Sequence, residues 1–210
     1  MTMGTLDLVT LTAGSERNHA YLVADAATAT AVVIDPAGSQ AGLLAAAQAR
    51  AWRIERILLT HSHHDHRAGA EILAQACMAP VLGQGDSDPA TGIRLEHQAV
   101  LPLGTLEIHV LHAPGHSHDS LCYLICDHLF SGDTLFVDWV GHAWSDDDAA
   151  ILHDSLHRIV LALDDATQVL PGHDYGCEPR STIGTERHRN PFLRLDRTSF
   201  IERLRRERGG

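Results

Sequence analysis

Short runs in which apolar and polar positions alternate, or in which apolar residues follow one another, dominate the first third of the chain and return after residue 97. Residues 6–12, 20–24 and 31–34 are such runs, separated by Gly14-Ser15 and an Ala/Thr-rich turn, and they predict three strands in an antiparallel meander. Asp35-Pro36-Ala37-Gly38 stops the third strand by turn chemistry. Asp35 fits two roles equally there, a turn former or the partner of a metal-bound histidine. Residues 39–50 place Leu43, Leu44 and Ala47 on one face behind a capping Ser39, the pattern of a helix. Ile57-Leu58-Leu59 reads as a buried strand, residues 68–77 as a second helix and 81–83 as a further strand, with a loop over 85–92. Leu106-Glu107-Ile108-His109-Val110 alternates strictly, so it predicts a half-buried strand with His109 on its wet face. Residues 121–126 predict a buried strand with Cys122 and Cys126 as core thiols. Asp146-Asp147-Asp148 suits the start of an amphipathic helix carrying Leu152, Leu156, Ile159 and Leu163, with His153 and His157 on its solvated face. From residue 181 a helical extension packs Phe200, Ile201 and Leu204 on the body and leaves its arginines in water. Each half runs strands first and helix after, which fits one domain of two sheets packed face to face with helices outside.

The chemistry is concentrated where the strand 57–59 ends, in Thr60-His61-Ser62-His63-His64-Asp65-His66. Neutral imidazole and carboxylate at this density are what a Zn, Fe or Mn site requires. His61 and His63, at alternate positions, converge on one ion, leaving Asp65 and His66 for a neighbouring one. A helix starting directly after His66 would add partial positive charge beside the site.

Composition narrows the partners. Sixteen histidines against three tyrosines and three tryptophans point to metal. With 44% hydrophobic and 20% charged residues the chain buries a sizeable core and is not disordered. A formal charge of -11 argues against a nucleic-acid partner, which calls for a basic face. Cys77, Cys122, Cys126 and Cys177 form neither a zinc ribbon nor a disulfide framework. Residues 1–9 lack the pattern of a signal peptide and no run reaches transmembrane length, so a cytoplasmic protein without membrane contact is expected.

Four motifs follow one another: His61-x-His63-x-Asp65-His66, Pro114-Gly115-His116, Ser131-Gly132-Asp133-Thr134 and Pro171-Gly172-His173. In this order and spacing the chain resembles the metallo-β-lactamase superfamily of hydrolases. The resemblance implies an α+β fold, a four-layer αββα sandwich with a metal centre at one edge of the sheets. It implies that His61, His63 and His116 hold one divalent ion, that Asp65, His66 and His173 hold a second, and that Asp133 bridges. Zn is expected, with Fe or Mn as alternatives. It implies hydrolysis of a small-molecule thioester or related ester by a metal-bridging hydroxide, with Asp65 and Asp133 as the catalytic carboxylates.

Two branches match in detail. Asn190-Pro191-Phe192-Leu193-Arg194 leans towards glyoxalase II, the hydroxyacylglutathione hydrolases. His173-Asp174-Tyr175-Gly176, Ser181-Thr182-Ile183-Gly184 and Gly115-His116-Ser117-His118-Asp119-Ser120 lean towards the persulfide dioxygenases. In that alternative His61, His116 and Asp133 would hold a single Fe(II). Both branches typically carry Gly-Cys-Gly and then Lys or Arg after the Asp133 motif, where this chain has Trp139, Val140, Gly141 and His142. The departure leaves open whether the thiol is glutathione; Trp139, Trp144 and His142 are candidates to line a different pocket, and Tyr175 is a further candidate pocket residue. Buried packing is the competing reading for Trp139 and Trp144. A homodimer is left open.

Overall fold

The computed structural model describes residues 5–209. In the first half, β1 (Leu6–Ala13), β2 (Asn18–Asp25) and β3 (Thr30–Ile34) form the expected antiparallel meander. α1 (Gln40–Ala49) carries the chain over to β4 (Arg53–Leu58), parallel to β3, and β5 (Val81–Leu82) adds to β4 in parallel. The second sheet begins with β6 (Val100–Leu103), β7 (Leu106–His112), β8 (Leu121–Ile125) and β9 (His128–Gly132), each antiparallel to the one before. A small ribbon of β10 (Leu135–Phe136) and β11 (Trp139–Val140) follows, then α4 (Asp146–Ser155). β12 (Gln168–Pro171) returns parallel to β9, and β13 (Ser181–Thr182) closes the six-stranded order β13-β12-β9-β8-β7-β6.

Three apolar clusters fill the three interfaces of a four-layer stack. Tyr21, Val32, Ile34 and Leu58 of the first sheet meet Ile108, Val110, Tyr123 and Phe130 of the second. Leu43 of α1 and Leu73 of α3 (Ala70–Cys77) cover Leu22, Val33 and Ile57 on the far face of the first sheet. On the far face of the second, Leu129 and Val169 lie under Leu152 of α4 and under Phe200 and Leu204 of the last helix, which follows α2 (His64–Arg67), α3, α4 and α5 (Ile183–Arg189) as α6 (Arg197–Arg208). The layers are therefore αββα. β2 and β3 are buried at every position because both of their faces are covered, which is why they read as apolar runs and not as alternation.

Several local expectations change. The helix expected over 68–77 starts earlier and breaks: α2 takes in His64, Asp65 and His66, and Gly69, at φ 81°, separates it from α3. The end nearest the centre is thus one short turn, not the head of a long helix. Ser39 stands at the N-cap of α1 without a side-chain cap bond. Cys122 is buried, but β8 ends at Ile125 and Cys126 is exposed, turning at φ 53° into β9. α4 continues as a π turn over Leu156–Val160, and this wider turn brings Val160, not Ile159, into the buried row. His153 and His157 are half-buried, their rings stacked 4.2 Å apart, because α6 lies across them and Phe200 packs on His153. The arginines of α6 are not simply solvated: Arg205 and Arg208 both pair with Asp146, and Arg203 lies over the Phe192 ring. Among the described residues no helix is long and apolar enough to cross a membrane.

Candidate metal centre

The parallel pairs β3–β4 and β9–β12 deliver the site. Asp35 follows β3 and Thr60-His61 follow β4, with the Asp35 N–H donating to the Leu58 carbonyl at 3.0 Å. Asp133 follows β9 and His173 follows β12, bound side by side by Gly172 N–H donating to the Gly132 carbonyl at 2.9 Å. His116 comes from the loop between β7 and β8, and the Leu121 N–H ties that loop's end to the Thr60 carbonyl at 2.7 Å. Two buried tyrosines brace the edge reciprocally. Tyr21 of the first sheet donates to the Pro171 carbonyl of the second at 2.7 Å, and Tyr123 of the second donates to Leu59 of the first at 2.8 Å.

The structure brings together all seven side chains singled out in the sequence. His61, His63 and His116 form one group, Asp65, His66 and His173 another, and Asp133 lies with His61 and His66 between them. His63 Nδ1 is 2.9 Å from His61 Nε2 and 3.1 Å from His116 Nε2, while His66 and His173 approach Nε2 to Nε2 at 3.2 Å. Asp133 Oδ1 is 3.2 Å from His66 Nε2, and its Oδ2 is 3.4 Å from His173 Nε2 and 3.6 Å from His116 Nε2. Four-coordinate ligands about 2.1 Å from a central ion stand roughly 3.4 Å apart, close to these separations.

The outward nitrogens show why this spacing fits ions and not hydrogen bonds. His66 Nδ1 donates to Asp35 Oδ2 at 2.9 Å, His116 Nδ1 to the His142 carbonyl at 2.9 Å, and His173 Nδ1 to the Glu16 carbonyl at 2.8 Å. His61 Nδ1 lies 3.1 Å from Thr60 Oγ1, which itself donates to Asp35 Oδ2 at 2.6 Å. Four rings thus spend their N–H outward and turn a bare Nε2 lone pair inward, the tautomer a metal ligand needs. Asp133 Oδ1 is buried without a hydrogen-bond donor of its own, as a bridging ligand would be. The residues present fit a pair of divalent cations.

Electrostatics agree. Burial, helped by neighbouring His66, lowers His61 to about 4, so its nitrogen is free at neutral pH. Burial also lowers His116. At His66 burial opposes charge, but Asp133 and Asp35 overcome it and raise its pKa well above the ordinary value. His173 is raised in the same way, burial yielding to Asp133. Burial would raise Asp133, yet His66 and His173 hold it well below the usual carboxylate range. Asp65 is lowered against its burial by Asn18, whose Nδ2 donates to Asp65 Oδ2 at 2.8 Å.

Asn18 and the Glu16 carbonyl, both from the β1–β2 hairpin, were not singled out by the sequence. An isolated bridge between Asn18 and His173 holds that hairpin at the centre. Asp35 takes the partner role of its two candidate roles. The glycines before the ligands answer to close approach: a Cβ on Gly172 would lie 2.4 Å from Asp133 Oδ1, and one on Gly115 (φ 135°) 2.4 Å from the Leu152 backbone.

Of the candidate pocket residues, Tyr175 stacks flat on His173 at 4.5 Å and donates to Glu16 Oε2 at 3.1 Å. His142 is exposed and its ring meets Trp144 at 4.5 Å. Trp144 is not buried but 67% exposed, on the wall of a groove that reaches His63 and His116. Trp139 is 39% exposed, packs against Phe192, and is not among the residues lining that groove.

A four-layer αββα sandwich with a His trio, an Asp/His trio and Asp133 between them at a sheet edge defines a class of metal-binding proteins. Residues 14–173 match the metallo-beta-lactamase superfamily model, and the chain belongs to that superfamily. The hydroxyacylglutathione hydrolase of Pseudomonas entomophila (strain L48) is 34% identical, over 89% of this chain and 85% of its own. A probable polyketide biosynthesis zinc-dependent hydrolase, PksB of Bacillus subtilis (strain 168), is 26% identical over 90% of this chain and 87% of its own. Among solved structures, ETHE1 from Myxococcus xanthus superposes with a TM-score of 0.85 at 31% identity, covering 95% of this chain and 90% of that one.

Proposed function

We propose that this protein is a dinuclear metal-dependent hydrolase that cleaves a small-molecule thioester or related ester. The observation that carries the reading is the completeness of the second trio: Asp65, His66 and His173 each have a dedicated partner, in Asn18, Asp35 and the Glu16 carbonyl. A mononuclear site would need only His61, His116 and Asp133. The hydroxyacylglutathione hydrolase relative supports the reaction class; the zinc named for the PksB relative fits zinc, and the di-iron form of the TTHA1623 structure fits iron.

His61, His63 and His116 would hold one ion, Asp65, His66 and His173 the other, and Asp133 would bridge. Bound there, divalent ions supply a hydroxide nucleophile at neutral pH and a Lewis acid for the carbonyl. The chain's own part is placement. Asp65, partly open to solvent while Asn18 fixes Oδ2, orients the attacking water. Asp133 stays ionised between His66 and His173. Tyr175, stacked on His173, offers a flat surface beside the reacting group.

The test is metal content by mass spectrometry together with a thioester panel. Two ions per chain and turnover that His61→Ala or Asp133→Ala abolishes are expected; variants retaining most activity would overturn the assignment. The dioxygenase-like motifs at 115–120, 173–176 and 181–184 favour the second reading, one Fe(II) on His61, His116 and Asp133. One iron per chain with persulfide-dependent oxygen uptake would establish that reading instead.

A further inference from the structure

The groove beside the first trio is bounded by His63 and His116 at one end and by Trp144, Asp119 and Asp148 along its wall. All sixteen cationic side chains of this protein are arginines, and none lines that groove. Asp119 is held ionised against its burial by hydroxyl donors, Ser117 Oγ at 2.6 Å among them. Asp148 accepts from Ser145 Oγ at 2.7 Å, and neither carboxylate is among the salt-bridged pairs of the described residues. Nearby cations are spent elsewhere: Arg205 and Arg208 on Asp146, and Arg17, on the His173 side of the centre, on Asp174. Along its wall, beyond the trio end, the groove therefore offers its occupant an exposed indole and two carboxylates that no arginine pairs. An anionic group there would lose water and gain repulsion, whereas a neutral group gains apolar contact and a cation gains the indole face as well.

Resting on the hydrolase reading, we propose that this groove selects substrates whose portion lying in it is uncharged or cationic, with Trp144 as the specificity-determining contact. The substrate class is a thioester or ester of a neutral or amine-bearing thiol or alcohol, not of a peptide thiol with free carboxylates.

The experiment uses three inert thioethers, the S-butyl derivatives of glutathione, N-acetylcysteamine and cysteamine, titrated onto the metal-loaded protein and read by tryptophan fluorescence. Trp144→Phe identifies which part of the signal of the three tryptophans belongs to the groove. The neutral and cationic probes should saturate the Trp144-dependent signal at concentrations about tenfold below the glutathione probe. Asp148→Asn should weaken the cationic probe about threefold and leave the neutral one unchanged. A glutathione probe that binds as tightly as the others, or no Trp144-dependent response to any probe, overturns the proposal. Because the probes are not turned over, failure of thioester hydrolysis would sink the hydrolase reading without disturbing this ranking.

Discussion

Each histidine of the centre except His63 has its outer nitrogen tied to a fixed acceptor, and Asp35 serves His66 directly and His61 through Thr60. Replacing Asp35 by Ala should therefore weaken metal binding by about 10–100-fold, measured by competition with a chromophoric chelator. The pKa directions give a second expectation. Asp133 and Asp35 favour a proton on His66, and Asp133 favours one on His173, so in metal-stripped protein protons compete with a metal for these nitrogens. Metal affinity should rise with pH as those protons leave, with proton release visible calorimetrically in buffers of different ionisation enthalpy; His61, near 4, contributes nothing to the effect. The sign reverses for stability of the stripped protein. A raised His66 stabilises most below 6.5 and loses that contribution as pH climbs past its folded value. At this scale the sequence was informative, because the seven gathered side chains stand in contiguous motifs. Asn18 and the Glu16 carbonyl were not legible: one is an ordinary hairpin residue, the other a backbone atom, and only the tertiary fold brings them within reach.

Among elements, the tyrosine braces are the joints most exposed to a single change. Tyr21→Phe or Tyr123→Phe leaves a buried carbonyl without its donor and should cost about 1–3 kcal/mol in urea unfolding. Gly172→Ala should lower metal occupancy and turnover together, since its Cβ would collide with Asp133 and His66. Removing the Phe200 ring from the interface between α6 and α4 should cost about 3–5 kcal/mol with the centre untouched. That same interface explains why the sequence pattern of 146–160 predicts a wet face where the fold has a covered one. Periodicity placed His153 and His157 in water, but it cannot see a helix arriving from forty residues later, nor the π turn that rotates the row. At Trp144 the sequence left pocket wall and buried packing both open, and the fold decides for the wall: the ring is 67% exposed and lines a groove.

For the molecule as a whole, the order of layers was legible because both halves run strands before helix and both sheets show their burial in their sequence. The sharing of ligands between the sheets has a consequence of a different kind. His61, His63, Asp65 and His66 come from the first sheet, while His116, Asp133 and His173 come from the second. An ion held by either trio would thus be a removable rivet through both sheets, closing chain loops of 53 residues between His63 and His116 and 107 between His66 and His173. Loop closure makes the longer of the two the stronger restraint by about 0.6 kcal/mol. Chelation should then act like cutting the stitches at one edge of a book, with amide exchange quickening first at Asp35, Thr60 and Gly132 while the opposite rim stays shut.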